Sequence, residues 1–152
     1  MRIVAMLAAT ATLAAFSFAA APSALAVGTT LTALKSEPDF KDALQLIEEK
    51  RWPEAIEKLN GLRIYYPTLP DIANWTAYSY RKMKDYPTAK RYYDEALAID
   101  PEFKPALEYQ GEWFIETGDI AGARANLAKL EALCGRCHEY RDLAESLAKA
   151  GH

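Results

Sequence analysis

Residues 70–103 read PDIANWTAYSYRKMKDYPTAKRYYDEALAIDPEF, and the windows 36–69 and 104–137 align to them with no gap. The three windows agree in side-chain size at fixed positions. Position 8 holds Ala43, Ala77 and Gly111, and position 20 holds Ala55, Ala89 and Ala123. Larger apolar residues recur at position 11 (Leu46, Tyr80, Phe114) and position 24 (Leu59, Tyr93, Leu127), while position 27 reads Leu62, Ala96 and Leu130. Small residues recur where helices approach closely and large ones where a gap must be filled. A fixed period across three copies marks a stack of like units that bury their apolar faces on one another.

The punctuation agrees with the period. Ala55, Leu59 and Leu62 stand at i, i+4 and i+7, one face of a helix, and Ala89, Tyr93 and Ala96 repeat that spacing. Pro53 and Pro87 share a repeat position where a second helix should begin, and proline suits the first turn because its missing N–H would be unpaired there. Pro67 and Pro101 close their copies, whereas the third copy has Gly135. Ser36-Glu37-Pro38-Asp39 reads as a helix start with Ser36 as the cap, and Gly118-Asp119 as a turn between helices. Each copy is therefore predicted as helix, short turn, helix. Glu139–Ala150 adds an amphipathic helix with Leu143, Leu147 and Tyr140 facing inward. The fold class is all-α: three helical hairpins and a C-terminal capping helix over 138–152, an α-solenoid.

Outward from the repeats, residues 1–26 have the order of a secretory signal peptide. Arg2 is followed by an apolar run to about Ala21, then Pro22, then Ala24 and Ala26 at the positions a signal peptidase reads. The competing reading is an uncleaved anchor, since the run approaches the roughly 20 residues that span a bilayer. Cleavage would leave 126 of the 152 residues. No cysteine lies near the cut, which excludes lipid attachment there, and the pattern predicts export to a bacterial periplasm. Residues 27–35 are small, polar and unpatterned, and are expected to be a flexible lead-in. Without Arg2 the 18 basic residues become 17 against 21 acidic ones. Such a balance argues against nucleic acid, whose binders need a basic stripe. No second run of spanning length exists, so no membrane contact is expected once the signal is removed.

The residues at positions 8, 11, 20, 24, 27 and 32 resemble the pattern of the tetratricopeptide repeat family over residues 36–137. The second copy fits best; the first has Leu46 for the aromatic at position 11, and the third lacks the closing proline. The resemblance implies a right-handed superhelix whose first helices line a concave groove for a protein or peptide partner. Positions that face the groove in this family fall on Asp71, Asn74, Trp75, Tyr78, Arg81 and Lys82, and on Glu108, Tyr109, Glu112 and Glu116. Aromatic and Arg side chains are the usual anchors of interfaces, so Trp75, Tyr78, Arg81 and Tyr109 are the candidate contacts, with Asn74 able to hydrogen-bond an extended backbone. The plainer alternative is that Trp75 and Tyr78 pack between copies. Relatives that hold the acidic tails of heat-shock chaperones carry Lys and Asn where this chain has Phe40 and Leu44, and Lys and Arg where it has Pro105 and Tyr109. That carboxylate clamp is missing.

Cys134-Gly135-Arg136-Cys137-His138 leaves three readings open. Read alone, C-x-x-C-H is a c-type haem attachment motif, with Cys134 and Cys137 on the porphyrin and His138 on the iron. A haem also needs an apolar pocket and usually a sixth ligand, for which only His152 and Met83 offer themselves. A catalytic dithiol would want a βαβ setting, and the chain shows no strand pattern. A structural disulfide, favoured by an oxidising compartment, would pin the capping helix where the proline is missing, for about 2 kcal/mol. Some exported tetratricopeptide proteins resemble this chain here too, with two cysteines near a Glu-Tyr pair such as Glu139-Tyr140. No cofactor is expected on that reading, and haem c on the first. The rest of the chain offers no catalytic constellation: Glu48-Glu49, Glu54 and Glu57 read as solvated helix faces, and no phosphate loop or zinc set is present. The chain is therefore expected not to be an enzyme.

Overall fold

A computed structural model describes residues 31–152; the leader read over 1–26 lies outside the described residues. Seven helices follow one another: α1 (Pro38–Glu48), α2 (Trp52–Tyr65), α3 (Pro70–Lys82), α4 (Tyr86–Ile99), α5 (Lys104–Thr117), α6 (Ile120–Cys134) and α7 (His138–Lys149). Residues 31–36 are helical as well, and no strand occurs among the described residues. The protein is an all-helical solenoid. Each helix packs on the next, and α3 also packs on α5 and α5 on α7. The first helices of the pairs thus form an inner layer and the second helices an outer one.

The core is built from the recurring positions. Ala43, Ala77, Ala55, Ala89, Ala123, Leu59, Tyr93, Ala96 and Leu130 are all fully buried. At position 8 the third pair has Gly111 instead of Ala because α7 sits there: a Cβ on Gly111 would lie 2.5 Å from Leu143 Cδ2. Leu143 and Leu147 bury themselves against Leu107 and Leu130, with Tyr140 packed at the edge. The capping helix is held through its predicted face, covering an end that would otherwise leave apolar surface wet.

The turns repeat more faithfully than the sequence does. Lys50, Lys84 and Gly118 occupy the same window position and all have positive φ, of 61°, 64° and 85°. In each turn the following N–H reaches back to the carbonyl five residues earlier: Arg51 to Leu46, Asp85 to Tyr80, Asp119 to Phe114, at 2.8–3.0 Å. This is the Schellman closure, which satisfies carbonyls left over at a helix end. Asp85 and Asp119 then start the next helices by accepting from the N–H of Thr88 and Gly122.

Two expectations are corrected at the N-terminal end. Ser36 is not the cap of α1; its hydroxyl donates back to the Ala33 carbonyl at 2.7 Å, and Glu37 holds the cap position in extended geometry. Pro38 is the reason, because the residue before a proline is pushed out of the helical region. The lead-in predicted over 27–35 is not unstructured throughout. Its last part, 31–35, is helical, and Leu34 is fully buried in the cluster of Phe40, Ala43, Leu59 and Ile72.

Candidate functional site

Helix α3 presents the inner face, and its side chains fall into three environments. Trp75 and Tyr78 are partly buried and meet Tyr109 of α5. The ring centroids stand 5.5 Å (Trp75–Tyr78), 5.8 Å (Trp75–Tyr109) and 5.1 Å (Tyr78–Tyr109) apart, tilted or edge-on, and Trp52 approaches Tyr78 at 6.1 Å. These are favourable aromatic geometries. The rings join neighbouring pairs, as the packing reading of Trp75 and Tyr78 has it, and keep part of their surface open. Lys82 is exposed, with Nζ 5.0 Å from the Tyr78 centroid. Burial raises the Tyr78 and Tyr109 hydroxyls above their ordinary range, keeping both neutral.

Arg81, expected at the contact surface, is instead buried at 2 % exposure. Its Nη1 donates to Glu116 at 2.6 Å and its Nη2 to Glu112 at 2.5 Å, while Nε donates to the Tyr93 hydroxyl at 3.2 Å. The guanidinium also lies 5.3 Å from the Tyr78 centroid and 5.9 Å from that of Tyr109. On the far side Ser146 of α7 donates to Glu112 at 3.2 Å. One cation thus connects α3, α4 and α5, with α7 attached through Glu112. Each of its three nitrogens donates within the protein, so the structure places Arg81 as a tie between helices and not on an open surface. Glu112 and Glu116, which looked like free groove residues, are its counter-ions.

Two turns away along α3 lies the second polar group. A cavity of about 220 Å³ opens between α3, α5 and α7, lined by Asp71, Asn74, Trp75, Phe103, Pro105, Glu108, Tyr109, His138, Glu139 and Asp142. Asn74 is 1 % exposed and Glu108 7 %, so neither lies on an open surface as the groove assignment expected. The Asn74 Oδ1 accepts no hydrogen bond among the described residues. Burial, together with the Glu112, Asp142 and Glu139 carboxylates, pushes the Glu108 carboxyl up to about 8. Burial likewise raises that of Asp71. The pairing of Glu108 with carboxylates from the capping helix could not be read from the period.

Cys134 ends α6 and Cys137 precedes α7, with Cα atoms 5.6 Å apart and the sulfurs at bonding distance. The separation suits a disulfide. A haem attached there would need an apolar wall beside His138, and the residues do not fit it. His138 is largely exposed, its Nδ1 pairs with Asp142 at 2.7 Å, and Glu108, Glu139 and Asp142 line the neighbouring cavity. Among the described residues no helix is long and apolar enough to cross a membrane, and no group of three or more His, Cys, Asp or Glu could hold a metal ion.

Comparison with known proteins follows the same line. Residues 70–103 match the tetratricopeptide repeat family, the window that fitted the pattern best. No curated protein matches the chain. Among solved structures, the TPR2B domain of yeast Sti1 in complex with an Hsp70 peptide superposes with a TM-score of 0.68 at 19% identity, covering 78% of this chain and 97% of that one. The first TPR of Spaghetti (RPAP3), bound to the HSP90 peptide SRMEEVD, gives 0.61 at 17%, over 71% and 89%. PcrH in complex with the chaperone binding region of PopD gives 0.60 at 18%, over 82% and 87%. The fold is that of tetratricopeptide proteins.

Proposed function

We propose that this protein is a non-catalytic adaptor that holds an extended polypeptide partner on the inner face of its solenoid. One observation carries the reading: Trp75, Tyr78 and Tyr109 form a continuous, partly open aromatic surface on the layer made by α3 and α5. Rigid aromatic surface is what interfaces use for anchoring at low entropic cost. The solved structures that resemble the chain hold peptides or protein segments, which supports the class of partner. It does not extend to their ligands. The peptide SRMEEVD is acidic, whereas this chain has Phe40, Leu44 and Pro105 where the clamp carries Lys, Asn and Lys. The order of residues 1–26 supports export to a periplasm, and that compartment supports a structural Cys134–Cys137 disulfide that ties α6 to α7.

Photo-crosslinking in the native cell tests the adaptor reading. A crosslinker placed at Tyr78 is expected to capture a polypeptide that one placed at Ile64, exposed on the outer helix α2, does not. Equal capture from both faces, or none from Tyr78, would overturn it. The intact mass of the exported protein tests the rest: it should begin after Ala26 and lack two hydrogens. A haem-sized increment would return Cys134, Cys137 and His138 to the attachment reading.

A further inference from the structure

The aromatic side chains of the solenoid differ in what their polar atoms do. Trp113 Nε1 donates to the Tyr86 carbonyl at 3.0 Å, the Tyr66 hydroxyl donates to Glu37 at 2.7 Å, and the Tyr93 hydroxyl accepts from Arg81 at 3.2 Å. These rings fasten helices to one another. On the inner face, the polar atoms of Trp52, Trp75, Tyr78 and Tyr109 make no hydrogen bond among the described residues. The one buried side-chain polar atom without a partner there is Asn74 Oδ1, so these two indole N–H groups and two hydroxyls reach solvent. Lys82, exposed with Nζ 5.0 Å from the Tyr78 centroid, adds an ammonium to the same row. The carboxylates of α5 do not balance these donors: Glu112 and Glu116 hold Arg81, and Glu108 is buried.

We propose that this row receives a proline-rich segment of the partner in a polyproline II helix, its pyrrolidine rings against the aromatic side chains and its carbonyls accepting from Trp52, Trp75, Tyr78, Tyr109 and Lys82. This rests on the adaptor reading and adds the chemistry of the partner. The complementarity is one of charge at the level of single atoms. Indoles and ammoniums only donate, and a neutral phenol can do so. An ordinary extended chain brings an N–H for every C=O and calls for acceptors as well. A run of prolines has no N–H, and its polyproline II carbonyls make no internal hydrogen bonds. The shape agrees. No two of the inner-face rings are stacked; their planes meet at 53–74°, which makes a ridged surface into which compact pyrrolidine rings fit. Neighbouring centroids stand 5.1–6.1 Å apart, so the row from Trp52 through Tyr78 to Tyr109 takes about one polyproline II turn, three residues of about 3.1 Å each. Such a segment is already extended before it binds and loses little conformational freedom.

The test is a heteronuclear NMR titration of the protein with two capped hexapeptides, one of six prolines and one alternating leucine and serine. The second is apolar enough to cover the rings but keeps its backbone N–H groups. The indole N–H signals of Trp52 and Trp75 are the reporters, and that of Trp113, bonded to the Tyr86 carbonyl, is the internal control. Hexaproline is expected to shift both reporters saturably, with a dissociation constant in the millimolar range, and to leave the control in place. The leucine–serine peptide should bind several-fold more weakly. Tyr78→Phe combined with Tyr109→Phe keeps the rings and removes two donors, so it should weaken hexaproline several-fold with an unchanged circular dichroism spectrum.

Three results would overturn the proposal: equal binding of the leucine–serine peptide, an undiminished affinity of the double variant, or a shift of the Trp113 control as large as that of the reporters. The first two would make the surface merely apolar, and the third would report a change of fold. If hexaproline moves neither reporter while crosslinking at Tyr78 still captures a polypeptide, the proline-rich partner is lost and the adaptor reading kept. Failure of both experiments would remove both.

Discussion

Arg81 and Asn74 sit on the same helix, two turns apart, both almost wholly buried and both polar, yet they are in opposite states. Arg81 is closed: Glu112, Glu116 and Tyr93 use its donors, and two rings cover its face. Asn74 is open: its Oδ1 has no donor among the described residues, and the cavity that the residue borders is lined by Asp71, Glu108, Glu139 and Asp142. The difference teaches how to tell structure from function inside a repeat array. A buried polar group whose hydrogen bonds are complete within the protein holds helices together. One whose bonds are incomplete costs stability and calls for a separate explanation.

The comparison breaks first at Arg81. Replacing it with Ala removes the cation and leaves Glu112 and Glu116 facing each other in a partly buried space. Loss of one partner from a buried pair costs about 3–5 kcal/mol, and a fall of that size in denaturant unfolding is expected. The partner-binding surface would suffer only through loss of fold. If Arg81→Ala left stability within about 1 kcal/mol of the parent while abolishing binding, Arg81 would be an anchor after all and the closed state a misreading. Triple replacement of Arg81, Glu112 and Glu116 by apolar residues of matching volume should recover much of the loss.

The open site is expected to show itself in the pH dependence of stability. Glu108 has its carboxyl pushed up from 4.5 to about 8 by burial and by Glu112 on α5 and Asp142 and Glu139 on α7; His138 on α7 opposes them. The folded protein then binds a proton that the unfolded chain has released. Its stabilising effect is complete below about pH 4.5 and is lost as pH rises through about 8. Melting temperature should therefore decline across that window, and Glu108→Gln should flatten the decline. An unchanged slope in the variant would mean that Glu108 is ionised in the fold, and that the cavity is wetter than its burial implies.

Much of this fold is visible in the sequence, for a physical reason. Packing between helices depends on side-chain size at fixed positions, and size is written directly in Ala43, Ala77, Ala55, Ala89 and Ala123. The inward face of α7 is legible in Leu143 and Leu147 for the same reason. Polar partnerships are not, because they join positions in different copies. Nothing in α3 alone says that Arg81 is enclosed; the clue lay in Glu112 and Glu116, one helical turn apart on α5 and able to grip one guanidinium together. The acidic surround of Asn74 needs α7, which stands outside the period. At the N-terminal end, Leu31 and Leu34 at helical spacing signal the ordered turn that composition alone obscured.

At Asn74 itself the expected change has the opposite sign from Arg81. Asn74→Leu keeps the number and branching of the heavy atoms and removes a buried acceptor that has no donor, so stability should stay level or rise by about 1 kcal/mol if the larger methyl groups are accommodated. A loss of more than about 2 kcal/mol would show instead that Asn74 is satisfied inside the protein, and the comparison with Arg81 would lose its second half.

The smallest effect lies at the rim of the closed network. Ser146 donates to Glu112 Oε1 at 3.2 Å, and its partner's other oxygen holds Arg81. Ser146→Ala removes one hydrogen bond to a charged acceptor that is still partly reached by water, so about 0.5–1 kcal/mol is expected. The informative quantity is the coupling to Arg81. If Ser146 steadies the carboxylate that grips the guanidinium, its removal should matter less in the Arg81→Ala background than in the parent, because Glu112 has then lost the geometry being steadied. A double-mutant cycle with a non-additive term of about 0.5 kcal/mol or more would place α7 within the network. Strict additivity would confine the closed state to α3, α4 and α5, and leave the capping helix tied only by Leu143, Leu147 and the Cys134–Cys137 turn.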